Sequence, residues 1–130
     1  MNRYETCREA IRKHFKFLID ELGYGIKDEE DLGYGYTLEL VGNDRRIILT
    51  YDYKENLYYF TIIRGIKTPY PNDKDRVNIH PLWDIFFKFE PNLELKTLQP
   101  YEQPCAEAAQ VNSRLLKKYG YPILRGEEWF

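Results

Sequence analysis

Carboxylates and tyrosines are the side chains through which this sequence could bind another molecule. The acidic run Asp28, Glu29, Glu30 and Asp31 is followed closely by Tyr34. Adjacent carboxylates attract a basic partner, and tyrosine adds rigid contact area with a polar tip. We therefore predict that these five residues contact a protein partner, with an ordinary solvated loop as the alternative.

Glu39, Asp52 and Tyr59 form a second candidate group, on one face of a predicted sheet. These carboxylates are the only pair that stands out within apolar runs, and paired carboxylates carry out the acid and base steps of glycoside hydrolysis. Together with Tyr59 they could line a shallow cup for a small ligand. A small-ligand-binding protein or enzyme is therefore the second hypothesis, and ordinary surface carboxylates of a sheet are the alternative.

The spacing of cysteine and histidine does not favour nucleophilic catalysis or metal binding. Cys7 and His14 lie two turns apart on a predicted helix, about 10 Å along its axis, which is too far for direct contact. Neither Cys-x-x-Cys nor His-Glu-x-x-His occurs in the sequence. We predict no catalytic residue, no cofactor and no metal, and we interpret Cys7 and Cys105 as small buried hydrophobic residues.

Composition limits the class of protein. The 130 residues are 43% hydrophobic and 16% aromatic, which favours a single domain over residues 1–130. The 19 basic and 21 acidic residues give a net charge of -2, whereas nucleic-acid binders carry a basic excess. No apolar stretch approaches the ~18 residues of a membrane span, and the first residues lack the apolar core of a signal peptide. With two cysteines that we expect to be reduced thiols, the sequence predicts a cytoplasmic protein that binds neither nucleic acid nor membranes.

Two amphipathic helices are predicted at the ends of the chain. Apolar residues at steps of three and four indicate a first helix from Arg3 to Leu22 that stops at Gly23. The same spacing indicates a last helix from Cys105 to Tyr119. Residues 23–35 are predicted to be a connection with the acidic run in its middle.

Residues 36–64 predict a three-stranded antiparallel meander. Turns at residues 43–44 and 55–56 place Gly42 opposite Arg45 and Lys54 opposite Leu57. Both registers put the same apolar residues on one face, and a slip of one residue would exchange the faces. The residues of this face are Tyr36, Leu38, Leu40, Ile47, Leu49, Tyr51, Tyr53, Tyr58, Phe60 and Ile62.

Prolines, charged residues and isolated apolar residues determine the predictions for the remaining segments. Residues 65–78 predict a long exposed loop, although Val77 and Ile79 could add a short fourth strand. Residues 79–89 could form either a helix or a strand. We expect an irregular link that is anchored by Leu93, Leu95 and Leu98. We also expect a tail that docks on the rest of the domain through Ile123, Leu124 and Trp129. The elements together predict an α+β fold, an antiparallel sheet packed on the N- and C-terminal helices.

Several stretches carry a resemblance to a known group of proteins: FLIDELGY at residues 17–24, the meander that ends at Ile63, and LLKKYG and ILRG at residues 115–120 and 123–126. Their hydrophobic spacing and the Tyr-Gly and Leu-x-Gly pairs of the tail resemble small bacterial α+β proteins, some of which are thought to be immunity proteins of polymorphic toxin systems. The resemblance implies a cytoplasmic binder that occludes a basic toxin domain, with the acidic run facing a nuclease surface. It supplies no catalytic residue and leaves the oligomeric state open.

Overall fold

One antiparallel sheet of five strands runs through the molecule, with the strands in chain order. The structure is a computed structural model that describes residues 2–94 and 104–130. The strands are β1 (Gly25–Asp31), β2 (Gly35–Gly42), β3 (Arg45–Asp52), β4 (Leu57–Arg64) and β5 (Ile79–Pro81). The helices are α1 (Arg3–His14), α2 (Lys16–Asp20), α3 (Leu82–Phe89), α4 (Cys105–Tyr119) and α5 (Tyr121–Leu124). This arrangement confirms the predicted α+β fold.

The core lies between the helices and one face of the sheet, which we call the core face. Of the ten apolar residues predicted for this face, all but the half-buried Tyr53 are buried. They share one cluster with Ile11 of α1 and with Ala108 and Leu116 of α4. Burial of each large aliphatic side chain contributes roughly 1.5–3 kcal/mol to folding. No helix of the described residues is long and apolar enough to cross a membrane.

A disulfide joins Cys7 of α1 to Cys105, the first residue of α4. The Cα atoms are 5.5 Å apart, within the range that a disulfide needs. The prediction of two reduced thiols was therefore wrong, although both residues are buried as expected. Because the two cysteines are 98 residues apart in sequence, only the packing of α1 against α4 brings them together.

The first helix ends earlier than its apolar spacing predicts. A single helix from Arg3 to Leu22 would point Phe15 and Phe17 to nearly opposite sides, because two residues turn an α-helix by about 200°. The chain instead leaves α1 at Phe15 and starts α2, so that Phe15, Phe17 and Leu18 are all buried. Gly23, with φ +77°, stops the helical segment in the left-handed conformation predicted for it.

One register of the meander is as predicted and the other is shifted by two residues. Between β2 and β3, Gly42 lies opposite Arg45. Between β3 and β4, however, Asp52 lies opposite Leu57, where Lys54 was predicted. The carboxylate of Asp52 accepts hydrogen bonds from the backbone N–H groups of Lys54 and Glu55 at 2.9 and 3.1 Å, so the chain turns early. A shift of two residues preserves the faces, which is why the core was still predicted correctly.

Residues 25–31 form a strand, which corrects the prediction of a connection between residues 23 and 35. β1 pairs antiparallel with β2, from Gly25 opposite Val41 to Asp31 opposite Tyr36, with an irregularity between Ile26 and Asp28. Five consecutive charged residues, Lys27 to Asp31, are unusual in a strand, so its sequence resembles a loop. Pairing with β2 rather than local propensity makes it a strand.

The second half of the chain follows most predictions. Residues 82–89 form a helix, and the added strand begins at Ile79, whereas Val77 lies outside it and is 63% exposed. α4 has the predicted bounds. In the tail, Ile123 and Leu124 are buried and Trp129 packs against the core. Leu93 also packs there, while Leu95 and Leu98 lie outside the described residues.

Candidate functional site

β1 is the open edge of the sheet, because β2 is its only neighbouring strand among the described residues. Six of its seven residues are exposed. The N–H of Leu32 donates to the carbonyl of Gly35 at 2.9 Å, which closes the turn between the two strands. Hydrogen-bonded pairs alternate along an antiparallel ladder, so the backbone N–H and C=O groups of Asp31 and Glu29 face away from β2. This edge therefore presents backbone donors and acceptors to solvent.

The acidic run is divided between the two faces of the sheet. Glu29 lies opposite Leu38 and so points to the core face, while Asp28 and Glu30 lie opposite Glu39 and Thr37. Asp28 and Glu30 therefore belong to the other face, which we call the outer face. Both are exposed, and no hydrogen bond or ion pair engages either side chain within residues 2–94 and 104–130. Because β1 is a strand, its adjacent carboxylates point to opposite faces of the sheet and have different surroundings.

Glu29 is the structural carboxylate, since it joins β1 to α1. Its side chain, only 16% exposed, accepts hydrogen bonds from Arg8 at 3.1 Å and from Arg12 at 2.7 and 2.8 Å. The hydroxyl of Tyr36 donates a further one at 2.5 Å. Burial alone would raise the pKa of Glu29, but these donors outweigh it and lower the pKa to about 2. A partner could contact this carboxylate only by displacing Arg8, Arg12 or Tyr36.

Asp31 and Tyr34 lie at the turn between β1 and β2. The Asp31 carboxylate accepts hydrogen bonds from the backbone N–H of Gly33 at 2.8 Å and from the hydroxyl of Tyr53 at 3.4 Å. Gly33 has φ +82°, as the first central residue of a two-residue turn often requires. Tyr34 follows it and is 52% exposed. Asp31 therefore stabilises the turn, and Tyr34 is free to contact another molecule.

The second predicted group does not converge into a cup. Glu39 pairs with Arg46 at 3.1 Å and with Lys27 at 3.4 Å, and Asp52 caps the turn after β3. Glu39 lies opposite Ile48, which precedes Asp52 by four positions on β3. That separation is about 13 Å along the strand, too wide for the two carboxylates to act on one bond.

Tyr59, in contrast, shares a row of the outer face with the acidic strand. Glu30, Thr37, Thr50 and Tyr59 are successive cross-strand partners. The two threonine hydroxyls are hydrogen-bonded at 2.8 Å, and Tyr59 is 52% exposed. Tertiary structure thus brings members of both predicted groups onto one surface.

The charge of the outer face varies along its strands. Near Glu39, the cations Lys27 and Arg46 neutralise the carboxylate. Arg46 also donates to the carbonyl of Thr68 at 2.7 Å, which holds the 65–78 loop against that end of the face. No ion pair engages Asp28 or Glu30 in the part of the chain that the structure describes. We define these two residues, the backbone edge of β1, Tyr34 and Tyr59 as the acidic surface.

Described residues away from the acidic surface line two clefts. One, of 530 Å³, lies between Asp44 and the start of the 65–78 loop. The other, of 360 Å³, lies beside the disulfide and includes Arg3, Tyr51 and Tyr53. Neither is lined by Glu39, Asp52 or Tyr59. Within the described ranges no three His, Cys, Asp or Glu side chains are grouped so that they could hold a metal ion.

Sequence reasoning missed Arg8 and Arg12, which hold the acidic strand. Their spacing of four residues places both on the same side of α1, and this was a signal that a carboxylate could bridge them. It did not identify Glu29 as that carboxylate among the 21 acidic residues. The chain matches no protein-family model, no curated protein and no solved structure.

Proposed function

We propose that this chain is a non-enzymatic protein-binding domain whose acidic surface binds a basic protein partner. The observation that carries the proposal is the pair of exposed carboxylates, Asp28 and Glu30, on the open edge of the sheet. Elsewhere on β1 the carboxylates of Glu29 and Asp31 have internal partners. Free carboxylates beside exposed Tyr34 and Tyr59 provide both the charge and the aromatic contact area of a protein interface.

Rigidity of β1 supports the same proposal. An edge strand loses binding energy if it must first be ordered. Glu29, clamped by Arg8 and Arg12, and the paired β2 both hold this strand in place. The surface is therefore organised before binding, and its two free carboxylates can accelerate the approach of a basic partner at low ionic strength.

The specific role that we propose is that of an immunity or inhibitor protein. The resemblance to small bacterial α+β proteins, some of which are thought to be immunity proteins, supports this role, as does a surface whose negative charge would complement a basic toxin domain. Such a protein acts by covering its partner, so it needs no catalytic residue of its own. Co-expression of this chain with the captured partner should restore growth that the partner inhibits; failure would remove the immunity role while leaving protein binding intact.

A cytoplasmic location is part of the proposal. Glutathione and thioredoxin keep most cytoplasmic thiols reduced, so the proposal requires that burial of Cys7 and Cys105 shields their disulfide from these reductants. Fractionation of the cells that encode the protein tests the location. Recovery with the cytoplasmic fraction supports the proposal, whereas recovery outside the cytoplasm would contradict it.

The binding proposal is tested by affinity capture from the cells that encode the protein. The test variant is D28K/E30K. The matched control, E9K/D73K, changes the charge equally at two exposed carboxylates outside β1, one on α1 and one in the 65–78 loop. We expect the wild type and the control to retain one stoichiometric protein, and the test variant to retain at least tenfold less. Equal retention by all three, or no retained protein, would contradict the proposal.

A further inference from the structure

We propose that the partner binds by strand addition, so that an extended segment with basic residues at alternate positions becomes a sixth strand beside β1. This inference rests on the proposed function and specifies how the partner is recognised. Its basis is the open backbone edge of a seven-residue strand. The acidic side chains determine only which segment fits that edge.

The backbone of β1 is prepared for another strand. The N–H and C=O groups of Glu29 and Asp31 face away from β2, as the hydrogen bond between Leu32 and Gly35 fixes the alternation. The regular part of β1, residues 28–31 beyond the irregularity between Ile26 and Asp28, extends for about 13 Å, which is within the range of short strands. Strand addition is an established mode of peptide recognition in which main-chain hydrogen bonds give affinity and alternate side chains give specificity.

The two faces of β1 favour different side chains on the added strand. On the outer face, its residues would lie beside Asp28 and Glu30, where lysine or arginine forms favourable cross-strand pairs. On the core face, they would lie near Arg8 and Arg12, whose side chains are 43% and 37% exposed around Glu29. A basic residue there would meet two guanidinium groups. The preferred segment is therefore basic at every second position and neutral or acidic between.

A second copy of this chain does not fit the same edge. Antiparallel pairing of two β1 strands centred on Glu29 would set Asp28 of each copy opposite Glu30 of the other. Like charges directly opposite one another destabilise a strand pair. The edge thus disfavours self-association and favours a basic strand from a different protein.

The test uses the full chain labelled with ¹⁵N and synthetic heptapeptides as probes. The first peptide alternates threonine and lysine, with lysine at positions 2, 4 and 6. The second has the same composition with its three lysines adjacent. Two more carry N-methyl groups on alternate residues of the first peptide, one set on each edge, so that charge is kept while one row of backbone donors is lost.

Strand addition predicts that the alternating peptide binds at least tenfold more tightly than the clustered one. Methylation of one edge should weaken binding at least tenfold, whereas methylation of the other edge should leave it unchanged. Amide exchange of Glu29 and Asp31 should slow at least tenfold in the complex. D28K/E30K should lose the alternating peptide, and E9K/D73K should keep it.

Two other results would overturn the inference and have different meanings for the proposed function. If both methylated peptides bind as well as the first, strand addition is wrong, but recognition of basic partners survives. If none of the peptides binds at millimolar concentration, strand addition is also wrong. The capture experiment with D28K/E30K then decides the proposed function by itself.

Discussion

The two edges of the sheet are built in opposite ways. β1 is seven residues long, exposed and acidic, and nothing within the described chain pairs with its outer side. β5 has only three residues and lies against the tail. The indole N–H of Trp129 donates to the carbonyl of Val77 at 2.6 Å, and the ring of Phe130 stacks on that of His80 at 3.9 Å. Charged side chains and the irregularity between Ile26 and Asp28 protect β1 from unspecific pairing, whereas the tail covers β5. β1 is therefore the edge that a partner of complementary charge can reach.

The means of fixing the two edges also differ. At β1, ionic contacts between Glu29 and α1 hold the strand while its outer edge stays free. Near β5, the buried Arg45 donates to the carbonyls of Ile123 and Glu128 at 3.1 and 2.9 Å, and its guanidinium lies 4.7 Å from the ring centre of Trp129. The ionic contacts thus stabilise β1 without covering its outer edge. The contacts of Arg45 instead hold the tail over the region near β5, which we call the closed region.

The largest expected loss of stability comes from opening the disulfide between α1 and α4. Reduction of Cys7–Cys105, which closes a loop of 98 residues, should lower the free energy of unfolding by about 4–5 kcal/mol. Urea unfolding with and without reductant measures this loss, and C7A/C105A should match the reduced wild type. Hydrogen exchange should accelerate in β1 and β4 alike. Acceleration confined to one side of the sheet would show that the two edges do not share one core.

Substitution of Arg45 tests the closed region. Arg45→Met removes three hydrogen bonds of a charged donor, to the carbonyls of Ile123, Glu128 and Asp44. The two shorter ones, to Ile123 and Glu128, are each worth about 1.5–3 kcal/mol. We expect urea unfolding to show a loss of roughly 3–4 kcal/mol, together with faster exchange in residues 121–130. Lys27→Met on the open edge, a matched loss of one cation, should change stability by less than about 1 kcal/mol. Equal losses would remove the contrast between the edges.

Substitution of Glu29 tests how the open edge is fixed. Glu29→Gln should cost about 1.5–3 kcal/mol at neutral pH, because charged hydrogen bonds to Arg8 and Arg12 are lost. The pKa of Glu29 is about 2 in the fold, below its ordinary 4.5. Its contribution is thus fully present above pH 4.5 and disappears as the pH falls towards 2.

Unfolding measured from pH 7 to pH 2 should therefore show a steeper loss for the wild type than for Glu29→Gln. Glu30→Gln is the control, since its exposed carboxylate has no partner among the described residues, and its curve should follow that of the wild type. Parallel curves for Glu29→Gln and the wild type would contradict a structural role for Glu29.

The smallest effect on stability belongs to the residues that we propose for binding. D28K/E30K should change the free energy of unfolding by less than about 0.5 kcal/mol, as is usual for exposed positions, while reducing capture of the partner at least tenfold. Urea unfolding and capture are measured on the same preparation. A loss of stability as large as that of Glu29→Gln would mean that these carboxylates support the fold instead of binding a partner.

Much of the core could be predicted because alternation survives an error of register. Leu49 was predicted opposite Ile62 and lies opposite Phe60, yet all three side chains are buried. The acidic strand could not be predicted in this way. Its residues carry no apolar alternation, and only pairing with β2 and the contacts of Glu29 with α1 reveal it. Residues 28–31 of the candidate site were therefore predicted to lie in a connection, whereas the structure places them in a strand.

The sequence by itself determined the α+β class, the bounds of α4 and the face of the meander that is buried, because these follow from local hydrophobic periodicity. Only the tertiary structure decided the disulfide, the strand at residues 25–31 and the division of its carboxylates into bound and free. Each of these depends on groups that are distant in sequence: Cys7 from Cys105, and Glu29 from Arg8 and Arg12. Local patterns cannot specify such pairs, since the chain contains many carboxylates and only folding selects the one that lies between two arginines.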